Sequence, residues 1–116
     1  MTVQVKLVDI WTVPEEFTQG DEVEVHVRVR NEGDPGYIGI HLVCYYLDKN
    51  GNVIGKDDVG FWQQYLEPGK ELEAIFKDVI YAPAGTYKVQ YCAEVGYVET
   101  SQQQPPGTPP GIEPRI

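Results

Sequence analysis

Residues 20–34 read GDEVEVHVRVRNEGD. Val23, Val25, Val27 and Val29 alternate without a break with Glu22, Glu24, His26, Arg28 and Arg30. Period 2 is the pattern of a strand with one buried and one wet face. Asn31-Glu32-Gly33-Asp34 then stops it with turn residues. A strand this regular needs a second layer over its valines, which predicts a β-sandwich built around it.

Working outward, the same alternation recurs about every dozen residues. Val3, Val5 and Leu7 share one parity, and Val8 and Ile10 the other. A slip of one residue there predicts a bulge or a strand crossing between sheets. Phe17 is expected to fold back as a plug, and Trp11 to belong to the core. From Tyr37 to Leu47 the chain is apolar on both parities: Ile40, Leu42, Cys44 and Tyr46 on one, His41, Val43, Tyr45 and Leu47 on the other. Such a strand is buried on both faces or presents a sticky outer one. Asn50-Gly51 is a strong hairpin signal. Val53 and Ile54 begin the return, residues 55–58 are polar, and residues 59–66 read as a further short strand or ordered loop. Leu72, Ala74 and Phe76 make another strand, and Tyr87, Val89, Tyr91, Ala93 and Val95 another. The expected fold is all-β, an immunoglobulin-like antiparallel sandwich of about seven strands over residues 1–99. Residues 100–116, rich in Pro and Gln, read as a flexible tail or linker.

Totals narrow the function classes. The 116 residues fit one domain with a sizeable core. Eighteen acidic against nine basic residues give a formal charge of -9, which repels phosphate backbones and argues against nucleic acid as a partner. No apolar run reaches the length of a transmembrane helix, so membrane insertion is not expected. No signal-peptide pattern precedes the first strand pattern. The chain therefore reads either as intracellular or as a domain of a longer surface or secreted protein. The tail favours the second.

Four signals in order resemble a known family. Val-x-Val-x-Val-x-Asn-x-Gly runs from Val25 to Gly33, preceded by Gln19-Gly20-Asp21. Tyr46-Leu47-Asp48 leads a hairpin into Val53-Ile54-Gly55. Leu66-x-Pro68-Gly69 and Ala84-Gly85-Thr86-Tyr87-x-Val89 follow. Together, over about residues 3–95, these resemble the CARDB-type (cell-adhesion-related) immunoglobulin-like domains of bacterial and archaeal surface proteins. The resemblance implies a seven-stranded sandwich that serves adhesion or spaces other domains, with no catalytic residues to carry over. This chain departs from the pattern after the Tyr87–Val95 stretch. Only residues 96–99 remain for a final strand before the tail. The last strand is therefore very short, or the preceding one is a sheet edge open to pairing with another chain, including an edge-strand homodimer.

Candidate sites follow from residue chemistry. Cys44 and Cys92 lie on strands expected to be antiparallel neighbours, and placing them opposite each other puts Asp48 opposite Lys88. They are then a cross-strand disulfide or two free thiols packed as small apolar groups. If they face each other, Ile40, Leu42 and Tyr46 share their outer face as an apolar patch for a protein partner. Phe61, Trp62 and Tyr65, with the amides of Gln63 and Gln64, suit a stacking platform for a polysaccharide. Otherwise Trp62 or Phe61 plugs the sandwich. Asp48, Asn50 and Asn52 begin like a calcium loop, but Val53 and Val59 stand where that loop requires Gly and Glu. His26 and His41 lack ligands at metal spacing and a nucleophile to activate. Glu22, Glu24, Arg28 and Arg30 read as a solvated, cross-strand-paired face. Pro106-x-x-Pro109 fits an SH3-type ligand only on paper. No cofactor is expected. The function expected is non-catalytic, a structural, adhesion or protein-binding module, with carbohydrate binding around Trp62 as the alternative.

Overall fold

A computed structural model describes residues 4–98. The tail assigned to residues 100–116, with its Pro-x-x-Pro match, lies outside the described residues. Six strands form: β1 (Val5–Val13), β2 (Glu22–Asn31), β3 (Gly36–Leu47), β4 (Val53–Leu66), β5 (Glu71–Val79) and β6 (Lys88–Val98). They make two antiparallel sheets of three, ordered β1-β2-β5 and β4-β3-β6. The immunoglobulin-like sandwich is as the alternation predicts, with six strands among the described residues against about seven expected.

The valine row explains the layering. Val23, Val25, Val27 and Val29 are fully buried, as are Ile38, Ile40 and Leu42 of the facing sheet and Phe76 from β5. Side chains alternate across a strand, so burying one row commits the other to the outside. The slip between Leu7 and Asp9 is a bulge in the β1–β2 pairing. Past it, Ile10 and Thr12 pair with Val27 and Val25, while Trp11 pairs with His26 on the outer face. Trp11 is therefore not core. Its indole stacks on the His26 ring at 5.0 Å, with the Arg28 guanidinium 5.5 Å from its centroid.

Residues 53–66 form one strand, not two. Its register against β3 shifts between Leu42 and Val43, so the polar stretch 55–58 stays in the ladder and Val59 turns into the core. At the hairpin, Asp48 Oδ1 accepts from the backbone N–H of Asn50 and of Asn52, both at 2.9 Å. Gly51 takes a φ of 86°, which favours glycine. Those hydrogen bonds, first that from Asn52, hold the Asp48 carboxyl below its ordinary value. The oxygen that a calcium loop would offer to the ion is occupied by the turn itself.

Asn31, which reads in sequence as a turn residue, continues the valine row inward and is fully buried. Its Nδ2 donates to Asp34 O (2.8 Å) and to Leu66 O (2.9 Å), and its Oδ1 accepts from Gly33 N (2.9 Å). Leu66 ends β4, so one amide ties the two sheets together. Buried donors and acceptors are costly to leave unpaired. Asn31→Ala, and equally Asn31→Leu, should lower unfolding free energy by about 2–3 kcal/mol in urea titration. A loss below about 0.5 kcal/mol would contradict this role.

Candidate functional site

The sequence candidates scatter when placed on the fold. Cys92 pairs with Val43, and Cys44 with Tyr91, one residue away from the expected register. Leu47, not Asp48, stands opposite Lys88. The two thiols thus point to opposite faces of the sheet, and both are free. Burial pushes the Cys44 thiol up to about 11. The proposed patch of Ile40, Leu42 and Tyr46 is corrected by the same shift. They face inward at 0%, 0% and 2% exposure and are core.

The aromatic platform is divided by strand alternation. Trp62 pairs with Ile40 and turns inward against the core. Its Nε1 is buried with no hydrogen-bond partner among the described residues. Phe61 and Tyr65 lie on the outer face, opposite His41 and Tyr37. The Phe61 ring lies over Gly39, where an added Cβ would come within 3.1 Å of it. Tyr65 meets Tyr37 edge-on at 5.5 Å, and Gln64 is exposed, whereas Gln63 is buried. Trp62 cannot lie flat beneath a sugar together with these rings.

Two polar arrangements were not expected. Asp78 continues the inward row of Leu72, Ala74 and Phe76, and is 8% exposed. Tyr91, on the opposite sheet, donates its hydroxyl to Asp78 Oδ2 at 2.7 Å. Burial raises the Asp78 carboxyl, and the Tyr91 hydrogen bond only partly offsets this. Parity alone would have flagged both Asn31 and Asp78, since each is a polar residue on an inward row. On the outer faces, each histidine sits between two carboxylates. His26 lies 3.0 Å from Glu73 and 3.2 Å from Glu24; His41 lies 2.9 Å from Asp58 and 3.2 Å from Glu94. The hydrogen bond to Glu73, chiefly, raises His26 above its ordinary 6.5. At His41 burial opposes the charge, but the bonds to Asp58 and Glu94 outweigh it. Arg28 joins Glu73 at 2.9 Å, and Arg30 joins Glu71 at 2.6 Å, as a cross-strand-paired face should. Among the described residues no group of three or more His, Cys, Asp or Glu is placed to hold a metal ion.

The remaining candidate is a strand edge. β6 pairs with β3 over eleven residues without a shift, from Tyr37–Val98 to Leu47–Lys88. No described strand pairs with its other side. In the seven-stranded plan that side carries the last strand. The place beside β6 is a groove of about 380 Å³ between β1 and β6, lined by Ile10, Trp11, Phe17, Val89, Gln90 and Tyr91 among others. Phe17 closes part of it, edge-on to Tyr91 at 6.4 Å, as the expected plug. Val89, Tyr91, Ala93 and Val95 point inward yet stay only half-buried.

The four sheet edges are not alike. β1 carries a bulge, β4 carries register shifts and Lys56-Asp57-Asp58, and β5 carries Glu71, Glu73, Lys77 and Asp78. Bulges and charges are how sheets discourage edge pairing. β6 has neither bulge nor proline, and only Lys88 and Glu94 as charges.

Comparisons with known proteins add no function. No protein-family model matches the chain. No curated protein matches it. Among solved structures, a β-glucosidase from Kluyveromyces marxianus is similar at 15% identity and a TM-score of 0.48, over 83% of this chain and 14% of that one. The chain thus spans 14% of that enzyme's length, and a likeness at this level carries no argument.

Two outcomes follow from the polar groups. Tyr91→Phe removes the side-chain donor to a buried carboxylate and should cost about 1–3 kcal/mol. Asp78→Asn keeps an acceptor while removing a charge that the fold disfavours, and should cost less at neutral pH. Equal losses in chemical denaturation would contradict this ordering. For His26, a raised folded value means stabilisation that is complete below the unfolded value. It is lost as pH rises through the folded value. Stability should therefore fall as the pH rises above the ordinary histidine value of 6.5, and His26→Gln should flatten that fall. An unchanged slope would overturn the assignment.

Proposed function

We propose that the chain is a non-catalytic structural or protein-contact module of a larger surface or secreted protein. The observation that carries this reading is the β6 edge. It is long, unshifted, nearly uncharged and unpaired among the described residues. An open edge offers backbone N–H and C=O groups to another strand, and half-buried apolar side chains add area beneath it. The order of signals resembling CARDB-type domains supports the same reading, since that family serves adhesion and domain spacing. A negative surface suits a module that works in solvent between other domains.

The division of Phe61, Trp62 and Tyr65 between two faces weighs against carbohydrate binding centred on Trp62. A polysaccharide pull-down and glycan-array screen, with Trp fluorescence on the same sample, tests this directly. The expected result is no retention and no spectral shift. A specific glycan that shifts the fluorescence, and loses it in Trp62→Ala, would overturn the reading.

A further inference from the structure

We propose that the β6 edge pairs with the β6 edge of a second copy, antiparallel and about a two-fold axis through Tyr91. This rests on the protein-contact reading above and adds its partner and register.

A two-fold between identical antiparallel strands pairs each residue with its mirror position, so each choice of centre predicts a distinct set of cross-strand neighbours. Of the two charges on β6, Lys88 and Glu94, only the Tyr91-centred register sets one against the other. It does so twice, once at each end of the shared ladder. Val89 then faces Ala93 of the second copy, Gln90 faces Cys92, and Tyr91 faces Tyr91. Shifting the centre to Cys92 sets Lys88 against Gly96 and Glu94 against Gln90, and leaves both charges unmatched. Opposite charges directly across a ladder stabilise it, and like charges do the reverse.

The surroundings agree with this register. Lys88 forms no ion pair with any described residue. Glu94 lies near His41 at 3.2 Å, but its side chain is 75% exposed and can accept a second partner. The backbone N–H of Tyr87 bonds to Leu47 O at 2.7 Å, just ahead of the Lys88–Leu47 pair where β6 begins. The Tyr87 ring at this entry is 76% exposed. The chain is acidic overall, but β6 itself is neutral and its ends attract. Other edges resist the same pairing through their bulges or charge runs.

Sedimentation equilibrium of the full chain tests the pairing. The wild type should dimerise as concentration rises. Lys88→Glu and Glu94→Lys each turn both cross-strand pairs repulsive, and each alone should weaken the dimer by roughly tenfold or more. Mixed in equal amounts, the two variants restore both pairs as attractive ones and should form a heterodimer. Circular dichroism should show both variants folded. Mild oxidation then checks the register. Gln90→Cys should form a disulfide-linked dimer with Cys92 of the second copy, and the wild type should not. Wild-type protein that stays monomeric at every concentration overturns the proposal. So does a dimer indifferent to both charge variants, or a wild type that cross-links through Cys92 alone. A monomer that also binds no glycan refutes the self-pairing and leaves the module reading standing. A specific glycan hit refutes the module reading instead.

Discussion

Two facing rows of side chains decide almost everything else in this molecule. The odd-numbered valines of β2 must be buried, and the even-numbered row of β3 (Ile38, Ile40, Leu42, Cys44 and Tyr46) buries them. Because strand side chains alternate strictly, this pairing of rows fixes which residues can meet a partner and which cannot. It removes Ile40, Leu42 and Tyr46 from the surface. It sends Trp62 inward and Phe61 outward, and so breaks the aromatic platform. It also sets the two cysteines on opposite sides of their sheet once β6 takes its place beside β3.

The strands themselves were legible because alternation over several residues is a strong signal and depends on no distant contact. The bulge in β1 was legible for the same reason, as a parity slip. The same slip places Trp11: past it, Ile10 and Thr12 take the inward places and the indole is left outside, on His26. The register between β3 and β6 was not legible. It depends on where the chain re-enters the ladder after residues 80–86, and no local pattern sets that point. In the structure Leu47 pairs with Lys88, one residue from the register that would align the cysteines. The disulfide and the Ile40–Tyr46 patch needed a correct register between β3 and β6, whereas the fold needed only the period.

Polar residues on inward rows form a second layer of information. Asn31 and Asp78 each sit where the alternation calls for an apolar side chain. Each bridges the sheets, Asn31 through Leu66 O and Asp78 through the Tyr91 hydroxyl. Buried polar links between layers favour one alignment of the sheets over others, because a slipped alignment leaves them unpaired. They stand at different ends of the β2–β5 pair, Asn31 beyond the Arg30–Glu71 position and Asp78 opposite Val23. The sandwich is thus pinned at both ends, and its β6 edge is presented on a fixed frame. That edge gains from Tyr91 twice, since the side chain that anchors the strand to the opposite sheet also lines the groove beside it.

The central claim is that β6, of the four sheet edges among the described residues, is the one suited to pairing. Amide hydrogen exchange, resolved by residue and followed across protein concentration, tests it most directly. The account predicts that the outward amides of β6 exchange fast in dilute protein and slow as concentration rises, while those on the β1, β4 and β5 edges do not change. Outward β6 amides as slow as those of β3 in dilute protein, or edges that all respond alike, would contradict it.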